Sequence, residues 1–242
     1  MREMRVILFF SLLVLLPSAC AWNWDTHKAM VESVYYRLDP SLRSNLSLEG
    51  MMEGSIIPDK VFRDFTRHSF PASLHETDRW LEQTRQFLVI GRYENASVSF
   101  GIASHYITDS FAAPHNIFGE PYSLHRLYED QASQAYDYPV CPNEKYRLKD
   151  VLYTGSQQGT TWKSWVDTRD AMLPRAAVRD ATFYLTAVAL ETFTSNCTSF
   201  STALEVVQRQ WSKGTLALMG LTLFCLVLVS LSLYRDLKYH RE

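Results

Sequence analysis

The stretch from 103 to 115, "ASHYITDSFAAPH", is apolar enough to lie in a core, yet it carries two histidines and an aspartate. On a helix His105 and Asp109 stand four apart, so an imidazole nitrogen and a carboxylate oxygen converge on one face. Pro114 then breaks the helix, and His115 follows six residues after Asp109. Further on, His125 and Glu129 repeat the i, i+4 spacing. The chain must therefore bury a helix whose inward turn is polar, reverse at Pro114, and bring a second helix back to the same point. Either pair alone reads as an ordinary helix-surface contact. The full series, His-x3-Asp-x5-His-x9-His-x3-Glu, sets five such residues in register within 25 and points to a shared cation. Neutral imidazole with carboxylate suits zinc best.

More donors stand upstream. "GSIIPDK" offers Asp59 in a turn, "RHSF" offers His68, and "WNWDTH" offers Trp22 and His27. A free amine at Trp22, with that residue's carbonyl, closes a five-membered chelate ring that His27 can complete. Processing would create that amine. Met1 to Ala21 has basic Arg2 and Arg5, the apolar run "VILFFSLLVLL", and small residues at Ala19 and Ala21, which reads as a secretory signal cleaved before Trp22. A lipoprotein with acylated Cys20 is the rival, but Pro17 sits badly where such a site wants an aliphatic residue.

At the far end Gly214 to Tyr234 is an uncharged run of 21 residues, long enough to cross a bilayer. Arg235, Lys238 and Arg241 follow it, so the positive-inside tendency leaves a short cytoplasmic tail. The expected organisation is a signal peptide at 1–21, one ectodomain at 22–212, a transmembrane helix at 213–235 and a tail at 236–242. This is a single-pass type I arrangement, with the body extracellular or lumenal. Sequons at Asn45, Asn95 and Asn196 fit an exposed extracytoplasmic body. Cys20 leaves with the signal and Cys225 lies in the span, so Cys141 with Cys197 is the only intrachain disulfide open to the ectodomain.

The body carries 18 Lys and Arg against 23 Asp and Glu, a net of −5, and so lacks a broad basic surface for nucleic-acid backbones. Helical periodicity predicts helices from Asp25 to Leu38, over 74–90, from Asn95 (capped by Asn95 or Ser97) to Pro114, over 123–136 and over 175–194. Loop is expected from Asp39 to about Ser73. A polar connection with short helical possibilities around "TTWKSWVDTRDAM" is expected from Cys141 to Pro174. Strand-like alternation is scarce, so the class is all-α.

The order N-terminal Trp, His, Asp, His, His-x3-Asp-x5-His, His-x3-Glu resembles the zinc-dependent phospholipase C family. That family shares its helical fold with fungal single-strand-specific zinc nucleases and with the amino-terminal domain of the glycosylphosphatidylinositol-specific phospholipase D. The likeness runs by motif from Trp22 to Glu129. It implies three zinc ions: one held by Asp59, His68, His105 and Asp109; a second by the Trp22 amine and carbonyl, His27 and a bridging Asp109; a third by His115, His125 and Glu129. The interval from Asp59 to His68 is shorter than the family pattern, which leaves His75 as a rival ligand, although "RHSF" matches the family's His-Phe context better than "LHET".

The resemblance implies a membrane-anchored phosphodiesterase that hydrolyses a phospholipid or lipid-linked phosphodiester with metal-activated water, Asp59 acting as base or water-orienting group. Two other readings stay open. One is a single-strand nuclease, for which Tyr122, Tyr128, Trp162 and Trp165 could stack bases. The other is a non-catalytic surface protein braced by zinc.

Overall fold

The computed structural model describes residues 24–132 and 140–198, and among them the secondary structure is helical with no strand. Nine α-helices are present in the described chain: α1 Trp24–Tyr35, α2 Pro40–Arg43, α3 Leu48–Gly54, α4 Ala72–Val89, α5 Tyr93–Ser110, α6 Tyr122–Ala132, α7 Leu148–Ser156, α8 Trp162–Thr168 and α9 Met172–Thr192. A π turn at Pro58–Phe62 and 3-10 turns at Ala113–Asn116 and Gln157–Thr161 complete them. None of the described helices is long and apolar enough to cross a membrane. The signal peptide, Trp22, the apolar run from Gly214 and the tail lie outside the described residues.

α5 is the axis of the bundle. From Ser99 to Ser110 every side chain is buried, because α1, α3, α4, α7 and α9 all pack against it. Phe100, Ile107 and Phe111 fill the core, each contributing roughly 2–3 kcal/mol by burial. α9 answers with Ala177, Val178, Ala181, Leu185, Val188 and Ala189 along one stripe.

The crossing of α3 over α5 fixes the site. A Cβ on Gly101 would stand 2.2 Å from the Met51 carbonyl oxygen and 2.8 Å from the Gly54 Cα, so the two backbones touch. A Cβ on Gly54 would meet the Val98 carbonyl oxygen at 2.4 Å. Only glycine at both positions allows this approach, which brings the chain after α3, with Ser55 and Asp59, onto the polar turn of α5.

Three expectations need correction. α5 begins at Tyr93, two residues before the expected cap, and neither Asn95 nor Ser97 caps it. Ser97 Oγ instead donates to the Tyr93 carbonyl (2.8 Å) and accepts from the Ser47 amide (2.9 Å), tying α5 to the start of α3. The expected loop from Asp39 to Ser73 holds α2, α3 and the π turn. α3 is only seven residues with two glycines, too short for a periodic signal; it forms because Ser47 Oγ accepts from the Gly50 amide and because α5 offers a packing partner. α7 likewise occupies part of the expected polar connection, burying Val151, Leu152 and Gly155. The Cys141–Cys197 disulfide is formed and closes a 56-residue separation, worth about 4 kcal/mol in the chain-entropy account.

Gly101→Ala should lower stability by roughly 2–3 kcal/mol, since overpacking a backbone contact has no side-chain escape. Thermal unfolding should show the midpoint falling by about 5–10 °C. An unchanged midpoint would mean that the helices do not cross this closely.

Candidate metal centre

Six segments deliver the site. α1 supplies His27, the π turn supplies Asp59, the loop after it supplies His68, and the last two turns of α5 supply His105 and Asp109. The 3-10 turn supplies His115, and α6 supplies His125 and Glu129. Pro114 stands inside that 3-10 turn, so it redirects the chain without separating His115 from the helix.

Asp109 is the common partner. Its Oδ1 lies 3.2 Å from His27 Nε2, and its Oδ2 lies 2.8 Å from His68 Nδ1, 3.2 Å from His105 Nε2 and 3.6 Å from His115 Nε2. Asp59 Oδ1 faces His105 Nε2 at 3.4 Å and His68 Nε2 at 3.6 Å. On the other side Glu129 Oε1 lies 2.8 Å from His125 Nε2 and 3.4 Å from His115 Nε2. The donor atoms thus fall into tight sets: His27, His105 and Asp109; Asp59, His68 and His105; His68, Asp109 and His115; His115, His125 and Glu129.

The far side of each ring is held too. The Ser55 carbonyl oxygen accepts from His105 Nδ1 at 2.8 Å. Thr108 Oγ1 donates to the His105 carbonyl and so accepts from His27 Nδ1 at 2.9 Å. Glu120 Oε1 takes His125 Nδ1 at 3.0 Å. Each of these partners spends the Nδ1 proton outward and turns the bare Nε2 inward, the tautomer that a metal ligand needs. Asp64 anchors the His68 loop by accepting from Tyr106 Oη at 2.9 Å.

Charge and burial shape the titration of the cluster. Burial would raise the Asp109 carboxyl, but the surrounding imidazoles of His105, His115 and His27 hold it well below the usual range. Asp59 is lowered in the same way: His105 and His68 overcome its burial. Burial would lower His68 and His125, yet Asp109 raises the first to about 9 and Glu129 raises the second to about 9. His105 is lowered, chiefly by burial. Meanwhile Asp59 Oδ1, His68 Nε2, His105 Nε2 and Asp109 Oδ1 are enclosed without a hydrogen-bond partner. Enclosed polar atoms of this kind are costly without a partner, and a cation among them satisfies them together. The donor set, imidazole and carboxylate with oriented rings, fits zinc.

The structure brings together His27, Asp59, His68, His105, Asp109, His115, His125 and Glu129; Trp22 is outside the described residues. His75 stands apart on α4, lining a separate depression with Pro71, Leu74, Asp78 and Leu148. Ser55, Thr108 and Glu120 escaped the sequence reading: a backbone carbonyl has no sequence signature, and Glu120, in "FGEPYSLH", stands on the far side of Pro121 from the helix it serves. Three of the four candidate base-stacking aromatics, Tyr128, Trp162 and Trp165, are buried in the core against one another. Tyr122 is exposed. Solvent reaches the cluster on the side of Asp59, His115 and His125, which are partly accessible.

A family model described as zinc dependent phospholipase C matches residues 26–176, well over half of the chain. A comparison with curated proteins found no match. Among solved structures, the alpha-toxin of Clostridium perfringens, from avian strain SWCP, is similar with a TM-score of 0.50 and 13% identity. The match covers 73% of this chain and 65% of the toxin chain, so this protein spans about two thirds of that length. At that identity the likeness concerns the fold.

Metal uptake should release protons. His68 and His125, raised to about 9 without metal, must each lose a proton to bind, so zinc affinity should climb as pH rises from 6 toward 9 and level off above it. Titration calorimetry in buffers of differing ionisation enthalpy reads that proton count directly. Affinity independent of pH across that window would contradict the arrangement.

Proposed function

The chain belongs to the zinc-dependent phospholipase C family, and on that premise we propose that its buried cluster hydrolyses the phosphodiester of membrane phospholipids. One observation carries the reading: enclosed carboxylate and imidazole atoms, lacking hydrogen-bond partners, aim at one another beside Asp59, His115 and His125, which are partly open to solvent. A bracing site would be closed by its side chains. The proposed ligands are those the family pattern implies, for three ions: Asp59, His68, His105 and Asp109; Trp22 with His27 and the bridging Asp109; His115, His125 and Glu129.

Zinc bound there supplies Lewis-acid polarisation of phosphoryl oxygens and a lowered pKa for water, to about 7. The chain supplies positions and a proton acceptor. Asp59, anionic at neutral pH and partly accessible, takes the proton of the attacking water as its oxygen bonds to phosphorus. The bond from phosphorus to the glycerol oxygen breaks, and the alkoxide leaves with the electron pair and is protonated from the open side. Asp109, fully buried and pinned by four imidazoles, has no freedom to act as base and serves to position the rings.

The rim of the pocket favours a bilayer substrate over nucleic acid. Three residues before His68 stands Phe65, 72% exposed, with Val61 and Phe62 also outward; three after His115 stands Phe118, fully exposed, followed by Tyr122. Both apolar segments belong to the loops that carry the histidines. The His68 and His115 rings are 5.2 Å apart, and three residues of chain span at most about 11 Å, so both phenylalanines stand near the cluster. The burial of Tyr128, Trp162 and Trp165 removes most of the stacking surface that a nuclease would need. The signal peptide, the extracytoplasmic body and the anchor at 213–235 belong to the same proposal, supported by the disulfide, which forms in oxidising compartments.

Asp59→Asn tests the role of the chain. Turnover on phosphatidylcholine vesicles should fall at least about 100-fold, while circular dichroism stays native. Retained turnover would remove Asp59 from the chemistry, and loss of folding alone would give the cluster a bracing role.

A further inference from the structure

The three sequons are about 50 and 100 residues apart in the chain, yet the fold gathers them at one end of the bundle. The Ser47 amide donates to Ser97 Oγ at 2.9 Å, which puts the triplet Asn45-Leu46-Ser47 against the triplet Asn95-Ala96-Ser97. Asn45 Nδ2 donates to the Ser41 carbonyl, Ser41 bonds Asp39, and the Asp39 amide donates to Ser195 Oγ at 2.9 Å, one residue from Asn196. All three asparagines are exposed. The Cys141–Cys197 bridge lies at the same end, with Cys197 inside the third sequon.

That end is remote from the metal centre. Asn95 lies in the first turn of α5 and Asp109 in its last, 14 residues or about 21 Å further along the axis. α1 runs the other way, from His27 at the centre toward Asp39, and α3 runs from Ser47 toward Ser55, whose carbonyl holds His105.

We infer that Asn45, Asn95 and Asn196 are N-glycosylation sites that form a single sugar-bearing pole opposite the metal pocket. The modifying reagent is a lipid-pyrophosphate-linked oligosaccharide with its transferase. Asn Nδ2 forms a bond to the anomeric carbon, the bond from that carbon to pyrophosphate oxygen breaks, the lipid pyrophosphate leaves with the electron pair, and the amide proton passes to a base of the transferase. The substituted amide keeps one N–H, so Asn45 can keep its bond to Ser41. Asn95 differs from the others: it lies in the first turns of α5 with Ser97 fully buried, so transfer there has to precede packing of α5 on α3 and leaves it the least occupied. Three glycans at this pole leave the apolar rim at Phe65 and Phe118 uncovered.

The test uses the full chain made in a eukaryotic secretory host and recovered from membranes. Peptide mass spectrometry after enzymatic deglycosylation in heavy-oxygen water reads Asn-to-Asp conversion site by site. Conversion at Asn45 and Asn196, with less at Asn95, is expected, and Asn→Gln changes should remove one step of gel mobility for each occupied site. Zinc content, and hydrolysis where it is present, should change less than twofold on deglycosylation. Unmodified Asn45 and Asn196 would overturn the assignment, and a larger change in zinc content would overturn the separation of the poles. Neither readout requires the hydrolytic reading to hold.

Discussion

The carboxylate of Asp109 is the group on which the structure turns. It is fully buried, and it lies in the last turn of α5, where the negative end of the helix dipole disfavours an anion. Burying an uncompensated carboxylate costs several kcal/mol, more at such a position. The offset comes from four imidazoles delivered by α1, the loop after the π turn, α5 itself and the turn beyond Pro114. Those segments span positions 27 to 115 in the sequence. Folding of the bundle and assembly of the cluster are therefore one event, and a cation in the cluster stabilises the fold as well as serving chemistry.

Backbone contact between α3 and α5 makes that convergence possible. With glycine at 54 and 101 the helices touch, the Ser55 carbonyl reaches His105, and Asp59 lands opposite His68 and His105. The outward hydrogen bonds to Ser55, Thr108 and Glu120 then choose the tautomer of three rings. A cluster of this kind is held from outside: the partners on the far side of each ring fix where its donors point.

Much of this was legible in the residues. The spacing from His105 to Glu129 announced a helix with a polar inward turn and a returning helix, and the structure has both. The long helices announced themselves through apolar periodicity, and the cysteine arithmetic left one pairing, which is formed. α3 and α7 were not legible, because short helices draw their stability from packing rather than from their own pattern. The start of α5 was misplaced because Asn95 and Ser97 look like caps. Ser97 serves a tertiary contact with Ser47 instead, and no local rule encodes that contact. Where His68 and His75 lie also needed three dimensions: a loop anchored through Asp64 and Tyr106 turns His68 toward the cluster, while His75 stands apart on α4.

The described body has two unlike ends: one bears the sequons, and at the other the partly accessible residues of the cluster lie beside exposed apolar loops. An enzyme working on lipid in a bilayer needs such a division, and the central claim is that the cluster performs the hydrolysis. The most direct measurement is product analysis after incubating the protein, processed to begin at Trp22, with a mixed phospholipid extract, with and without prior removal of zinc. The account predicts diacylglycerol in the lipid phase and phosphorylated head group in the aqueous phase, abolished by chelation and restored by zinc. Turnover that survives complete zinc removal, or no phosphodiester cleavage by the zinc-loaded protein, would contradict it.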